Sequence, residues 1–145
     1  MGERWIPASF SDFSFMANAL RVGIDIDGDE IYAGRAYHEG DLIPAKVIPN
    51  KNACYIAYNG VEIFKEDFEV FVPPTASWEY ASYGSVPPEA VVAGFTANGE
   101  TLYYGRVSCE GCLTPGKIHP THGTCYYPFA GEERSCAEYE CLVFK

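Results

Sequence analysis

Apolar and polar residues alternate in short runs along this chain. Leu20, Val22, Ile24 and Ile26 interleave with Arg21, Gly23, Asp25 and Asp27. That period of two marks a strand with one apolar and one polar face, and it puts Asp25 on the polar, available face. Val91, Ala93, Phe95 and Ala97 repeat the pattern, with Thr96 and Asn98 opposite. Each run ends in a turn dipeptide, Asp27-Gly28 or Asn98-Gly99, that favours a type I′ turn with positive φ at both residues. The pattern predicts hairpins of 18–26 with 29–37 and of 89–97 with 100–107. A further turn is expected at Asn59-Gly60, with a weaker counterpart at Ala130-Gly131. Segments 53–58, 66–72, 124–129 and 137–143 are aromatic or β-branched enough for strands. No run has the period of a long amphipathic helix, and ten prolines with 14 glycines suit many short strands. The expected fold class is all-β, built from short antiparallel strands.

The chain is a duplication. Shifted by 71 positions, residues 18–72 align with 89–143 without a gap, with 18 identities in 55 positions. Tyr32-Ala33-Gly34-Arg35 meets Tyr103-Tyr104-Gly105-Arg106, and Leu42-Ile43-Pro44-Ala45-Lys46 meets Leu113-Thr114-Pro115-Gly116-Lys117. Cys54-Tyr55 meets Cys125-Tyr126, and upstream Trp5 meets Trp78 with two residues fewer in the second copy. The division is a first repeat over 1–72, a joint over 73–77 and a second repeat over 78–145. A unit of about 70 residues buries a poor core alone. The two copies are therefore expected to pack as one domain with pseudo-twofold symmetry.

Charge narrows the function. Of 145 residues, 20 are acidic and 10 basic, a formal charge of −10, which repels nucleic acid and anionic membrane surfaces. No apolar run approaches the roughly 20 residues that span a bilayer. The first residues, MGERWIPASF, lack the basic start and apolar stretch of a secretory signal, so a cytoplasmic protein is expected. Six cysteines would there be mostly thiols. Cys54 and Cys125, at matched positions, read as small buried thiols of a shared core.

No motif marks a catalytic apparatus: there is no Gly-x-Ser-x-Gly elbow, and no cysteine has a nucleophile's local setting. The expectation is a binding protein rather than an enzyme. Asp25-Ile26-Asp27-Gly28-Asp29-Glu30 has calcium-loop composition but not its spacing, and reads as an acidic hairpin tip in water. Cys109, Cys112, His119 and His122 are zinc-type ligands, but six residues separate the two pairs, fewer than is usual. Free thiols or a local disulfide are the expected state there, and no metal or cofactor is called for. Arg35 and Arg106 are expected to form ion pairs within their repeats. Lys46 and Lys117 recur at one matched place, either as solvated strand ends or as ligand-facing ammonium groups.

These residues together resemble the DM-nine repeat family. The resemblance rests on Tyr-x-Gly-Arg (32–35 and 103–106), Gly-x-Leu-x-Pro-x-Lys (40–46 and 111–117), the paired Cys-Tyr steps and Tyr/Phe-Glu, and it covers residues 5–143. No pore-forming module follows, unlike in natterin-like members, so the chain is similar to the stand-alone two-repeat lectins of invertebrate innate immunity. The resemblance implies an all-β homodimer that recognises mannose and mannose-rich glycans on microbial surfaces. Such members usually lack a signal peptide, and release by a non-classical route is compatible with that. In the mannose-binding members an Asp before the first turn and the Lys of Pro-Gly-Lys hold the sugar. Carried over, these are Asp25 and Lys46, with a second, weaker site at Thr96 and Lys117. Ala45 replaces the family's Gly in the first motif, and Thr96 replaces the Asp in the second. A protein-interaction module of the same fold, with sugar binding lost, is the alternative.

Overall fold

A computed structural model describes residues 4–73 and 75–145. Pro74, inside the expected joint, and residues 1–3 lie outside the described residues. The first repeat contributes β1 (Arg4–Ala8), β2 (Arg21–Ile24), β3 (Glu30–His38), β4 (Asp41–Ile48), β5 (Ala53–Tyr58), β6 (Val61–Phe64) and β7 (Phe68–Val72). The second contributes β8 (Ser77–Ser82), β9 (Val92–Phe95), β10 (Thr101–Cys109), β11 (Cys112–His119), β12 (Thr124–Phe129), β13 (Glu132–Cys136) and β14 (Glu138–Val143). The helical segments are short 3₁₀ turns. The fold is all-β, as the alternation predicted.

The sheet order is β1-β7-β3-β2-β11-β12-β13-β6-β5-β4-β9-β10-β14-β8. Exchanging each strand for its counterpart in the other repeat reverses that order and leaves it otherwise unchanged. The pseudo-axis runs between β6 and β13, where Val61 faces Glu132. The repeats also interlock through Ile24↔Leu113 and Leu42↔Phe95, positions related by the same 71-residue shift. Extra pairings of β3 with β4 and β10 with β11 close the sheet into a barrel-like form. One core cluster is shared by both repeats and includes Val22, Ile31, Phe71, Val91, Tyr104 and Leu142. Tyr104 is fully buried, and its hydroxyl donates to the Ala45 carbonyl at 2.7 Å. The phenol of one repeat thus satisfies the backbone of the other, as a buried hydroxyl requires.

Two local expectations are corrected. In the β2–β3 pair the register shifts between Arg21 and Gly23, and in β9–β10 between Leu102 and Tyr103. A bulge of this kind reverses the alternation beyond it. Ile24, Ile26 and Phe95 therefore face solvent, while the Asp25 side chain is only 12% exposed rather than on an open polar face. The turns at Asp27-Gly28 and Asn98-Gly99 are not type I′, because only the glycines have positive φ. Each instead closes a tight turn, Gly28 N–H to Asp25 O and Gly99 N–H to Thr96 O. The turns expected at Asn59-Gly60 and Ala130-Gly131 are present, with positive φ at both residues, and the same conformation occurs at Glu39-Gly40, Tyr83-Gly84 and Glu110-Gly111.

β4 and β11 carry the lysines and a central proline each. Residues 42–48 are all buried, and β4 pairs with β3 along its length. On its other side β4 meets β9 at Leu42 and β5 from Lys46 onward. Pro44 falls in the gap where the partner changes, so its missing N–H takes no bond from the ladder.

Candidate functional site

Lys46 and Lys117 are buried, with side chains 5% and 7% exposed, and are not solvated strand ends. Lys46 Nζ donates to the Pro128 carbonyl at 2.8 Å and pairs with Glu62 at 2.9 Å. Lys117 Nζ donates to the Ala57 carbonyl at 2.7 Å and pairs with Glu133 at 3.1 Å. Each glutamate also accepts a backbone N–H from across the axis, Gly131 for Glu62 and Gly60 for Glu133. The ammonium of each repeat is therefore bolted to the other repeat's main chain. Aromatic rings flank both, Tyr55 and Phe129 about Lys46 and Tyr58 and Tyr126 about Lys117. An ammonium has three donor hydrogens, so each lysine retains one for a further acceptor.

Above Lys117 is an open cleft of about 410 Å³. Thr96, Glu133, Tyr126 and His122 line it, together with Asp41 and Asn59 from the first repeat. The structure thus brings Thr96 and Lys117 to one cavity. A carboxylate that Thr96 lacks is supplied by Asp41, which accepts from the Ala97 N–H at 2.8 Å. The volume falls within the range of small-ligand sites. Neither Ala45 nor Gly116 has positive φ, so the Gly-to-Ala difference does not bend β4. A Cβ at Gly116 would nonetheless meet the Tyr126 carbonyl at 2.2 Å, a contact that excludes a side chain there.

The matching place over Lys46 is occupied. Lys51 Nζ lies 2.5 Å from Asp25, 2.8 Å from Asp27 and 3.7 Å from Asp29. The acidic hairpin tip thus holds the chain's own ammonium in a partly exposed cluster, rather than standing as unpaired carboxylates in water. Partial burial opposes charge on Lys51, but the bonds it donates to Asp25 and Asp27 outweigh this and raise its pKa above the usual range. The Lys51 bond holds the Asp27 carboxyl below its usual value.

The zinc set does not assemble. Cys109 and Cys112 flank the β10–β11 turn, whereas His119 ends β11 and His122 ends the following 3₁₀ turn. An eight-residue strand separates the pairs by roughly 20 Å. All six cysteines are free. The His119 and His122 rings stack at 3.6 Å. His119 Nδ1 approaches Glu100 at 3.2 Å without hydrogen-bond alignment, and His122 Nδ1 meets the Tyr126 hydroxyl at 2.9 Å. Burial lowers the His119 pKa; Glu100 opposes this, and His122 and Lys117 add to it.

Arg35 and Arg106 pair with Glu69 and Glu140 at 2.7 and 2.6 Å. Each also reaches across the axis, to Ala93 O and Val22 O, beneath Trp5 and Trp78. Sequence reasoning passed over Glu62, Glu133, Asp41, Lys51 and Tyr126. For the glutamates a signal was present: Glu62 and Glu133 are identical across the alignment. Asp41 carried none, because its counterpart is Cys112.

A family model described as the DM9 repeat matches residues 25–136. Among curated proteins none matches. Among solved structures, the nematode sperm cell motility protein MFP2B is similar, with a TM-score of 0.68 and 10% identity over 99% of this chain and 45% of that one. The chain spans less than half the length of MFP2B, and at that identity the likeness concerns the fold alone.

Proposed function

The chain belongs to the DM9 repeat family, and from that premise we propose that it is a lectin that takes mannose, and the terminal mannose of larger glycans, in the cleft over Lys117. The observation that carries this reading is the convergence of an ammonium, two carboxylates and a tyrosine on one open cavity from both repeats. A hexose offers vicinal hydroxyls, each both donor and acceptor. The free Lys117 hydrogen donates to one hydroxyl oxygen, while Asp41 and Glu133 accept from neighbouring hydroxyls. Such charge-assisted bonds are roughly twice as strong as neutral ones. Tyr126 offers an apolar wall to the ring's C–H face. This reading reverses the order of the two sites expected from the family pattern, because Asp25 is engaged by Lys51.

A single hexose in so open a site binds at about millimolar to high micromolar Kd. Affinity for a microbial surface then comes from presenting several sites, as a homodimer does, for a gain of about 10² to 10⁴. The role is recognition in innate immunity, without catalysis, from a cytoplasmic pool released by a non-classical route. Mannose-agarose retention tests the assignment. The wild type and Asp25→Ala should be retained, and Thr96→Phe, which fills the cleft, should flow through. Failure of the wild type to bind any mannose-containing glycan overturns the function; retention of Thr96→Phe overturns the site.

One observation favours the alternative, a protein-interaction module. Tyr37 and Phe95 meet edge to face at 6.5 Å while 60% and 41% exposed, an aromatic pair from both repeats open to solvent. A purified partner whose binding persists in excess mannose and is lost in Tyr37→Ser selects that reading.

A further inference from the structure

The two lysine sites are one construction built twice, with several substituted positions around a common lysine, glutamate and tyrosine; the pair at 51 and 122 decides what fills each site. In each, an acidic residue beyond the tight turn holds a 3₁₀ turn. Asp29 accepts from Asn50 Nδ2 at 3.2 Å, and Glu100 accepts from Thr121 N and Oγ1 at 2.9 and 2.7 Å. Each 3₁₀ turn ends the same way. Asn52 and Gly123 take the left-handed conformation and donate their N–H to Pro49 O and Pro120 O. The backbones therefore present residues 51 and 122 alike, and only the side chains differ.

Lys51 extends into its own site and binds the aspartate at the sugar-holding position. His122 turns aside, stacked on His119 and bonded to Tyr126, and leaves Thr96 and the cleft clear. We propose that the residue at this position gates each site, Lys51 acting as a built-in occupant of the first and His122 leaving the second open. A lysine ammonium is compact, long-reaching and always charged near neutrality, so it competes with a hexose for the same carboxylate acceptors. An imidazole stacked on a neighbouring ring does not reach them. The gate rests on the hexose-binding reading for its consequence, but its structural half stands by itself.

The test has two arms, both on the full chain. Titration with methyl α-mannoside, followed by amide chemical shifts, should perturb residues around Lys117 alone in the wild type, residues around both lysines in Lys51→Ala, and should show at least about tenfold weaker binding in His122→Lys. Absence of sugar-dependent shifts around Lys46 in Lys51→Ala, with the variant folded by circular dichroism, overturns the gate. The second arm uses no sugar. Trace acylation with acetic anhydride modifies only free amine, so an ammonium paired with aspartates reacts slowly even where it is partly exposed. Lys51 is expected to label more slowly than Lys145, which is 58% exposed, and to speed up in Asp25→Asn. Equal labelling of Lys51 and Lys145 overturns the hold of the aspartates on Lys51, the latch of this gate, whatever the sugar does. Slow labelling with no sugar bound by the wild type or Lys51→Ala upholds the latch and refutes the hexose reading.

Discussion

Lys46→Met removes the ammonium from one inter-repeat bolt while keeping most of the side chain's volume. It leaves the Glu62 carboxylate, 11% exposed, without its cation, and the Pro128 carbonyl without its donor. Removing one partner of a buried pair costs about 3–5 kcal/mol, because the remaining charge stays desolvated. For a chain near this length each kcal/mol shifts Tm by about 2–4 °C, so the midpoint should fall by about 6–20 °C. Lys46→Met/Glu62→Leu removes both charges. It should lie closer to the wild type than Lys46→Met does, since an apolar pair of like volume is often as stable as the ion pair. The Gly131 N–H freed in the double variant lies in an exposed turn and finds water. Equilibrium unfolding in urea under reducing conditions measures all three proteins. A loss below about 1 kcal/mol for Lys46→Met is what a surface pair gives, and would refute the buried bolt.

Other outcomes follow from single contacts. His119 binds protons less readily folded than unfolded, so its contribution to stability is full above the ordinary histidine range, about pH 6–7, and is lost as pH falls through it. His119→Ile, which installs the residue of the first repeat, should flatten that part of the Tm–pH curve; an unchanged slope contradicts the assignment. A Cβ at Gly23 meets the Leu113 carbonyl at 2.1 Å, and one at Gly94 meets Leu42 O more closely still, both across the repeat interface. Gly23→Ala and Gly94→Ala should each cost about 1–3 kcal/mol or more by thermal unfolding, and a neutral result would contradict the interlock. Burial raises the thiol pKa of Cys54 and Cys125, and of Cys141 to about 12. Iodoacetamide under native conditions should therefore modify the half-buried Cys109 and Cys136 first, and mass mapping checks the order.

The all-β class was legible because period-two alternation and Gly-containing turns are local signals. The duplication was legible because each strand's counterpart keeps the same 71-residue offset. Less was visible wherever the repeats touch. The bulges in β2 and β9 reverse the faces, and a bulge leaves no mark on a run such as Arg21-Val22-Gly23-Ile24. β4 and β11 escaped notice because a central proline usually argues against an inner strand, and only the change of partner at Pro44 makes room for one. Arg35 and Arg106 are ion-paired within their repeats as expected, and their partners Glu69 and Glu140 recur at the same offset. Lys46 and Lys117 were recognised by recurrence, but their burial depends on carbonyls of the opposite repeat, which no local pattern reveals. The choice between the two sites turned on Lys51, which is distant from Asp25 in sequence and beside it in space.

A crystal soaked in mannose, solved with difference density for the sugar, tests the central claim most directly. The expected density is one hexose ring against Tyr126, with hydroxyls bonded to Lys117 Nζ and to Asp41 or Glu133, and Lys51 still on Asp25. A hexose that displaces Lys51 and fills only the site over Lys46, or none in either site at saturating mannose, would contradict it.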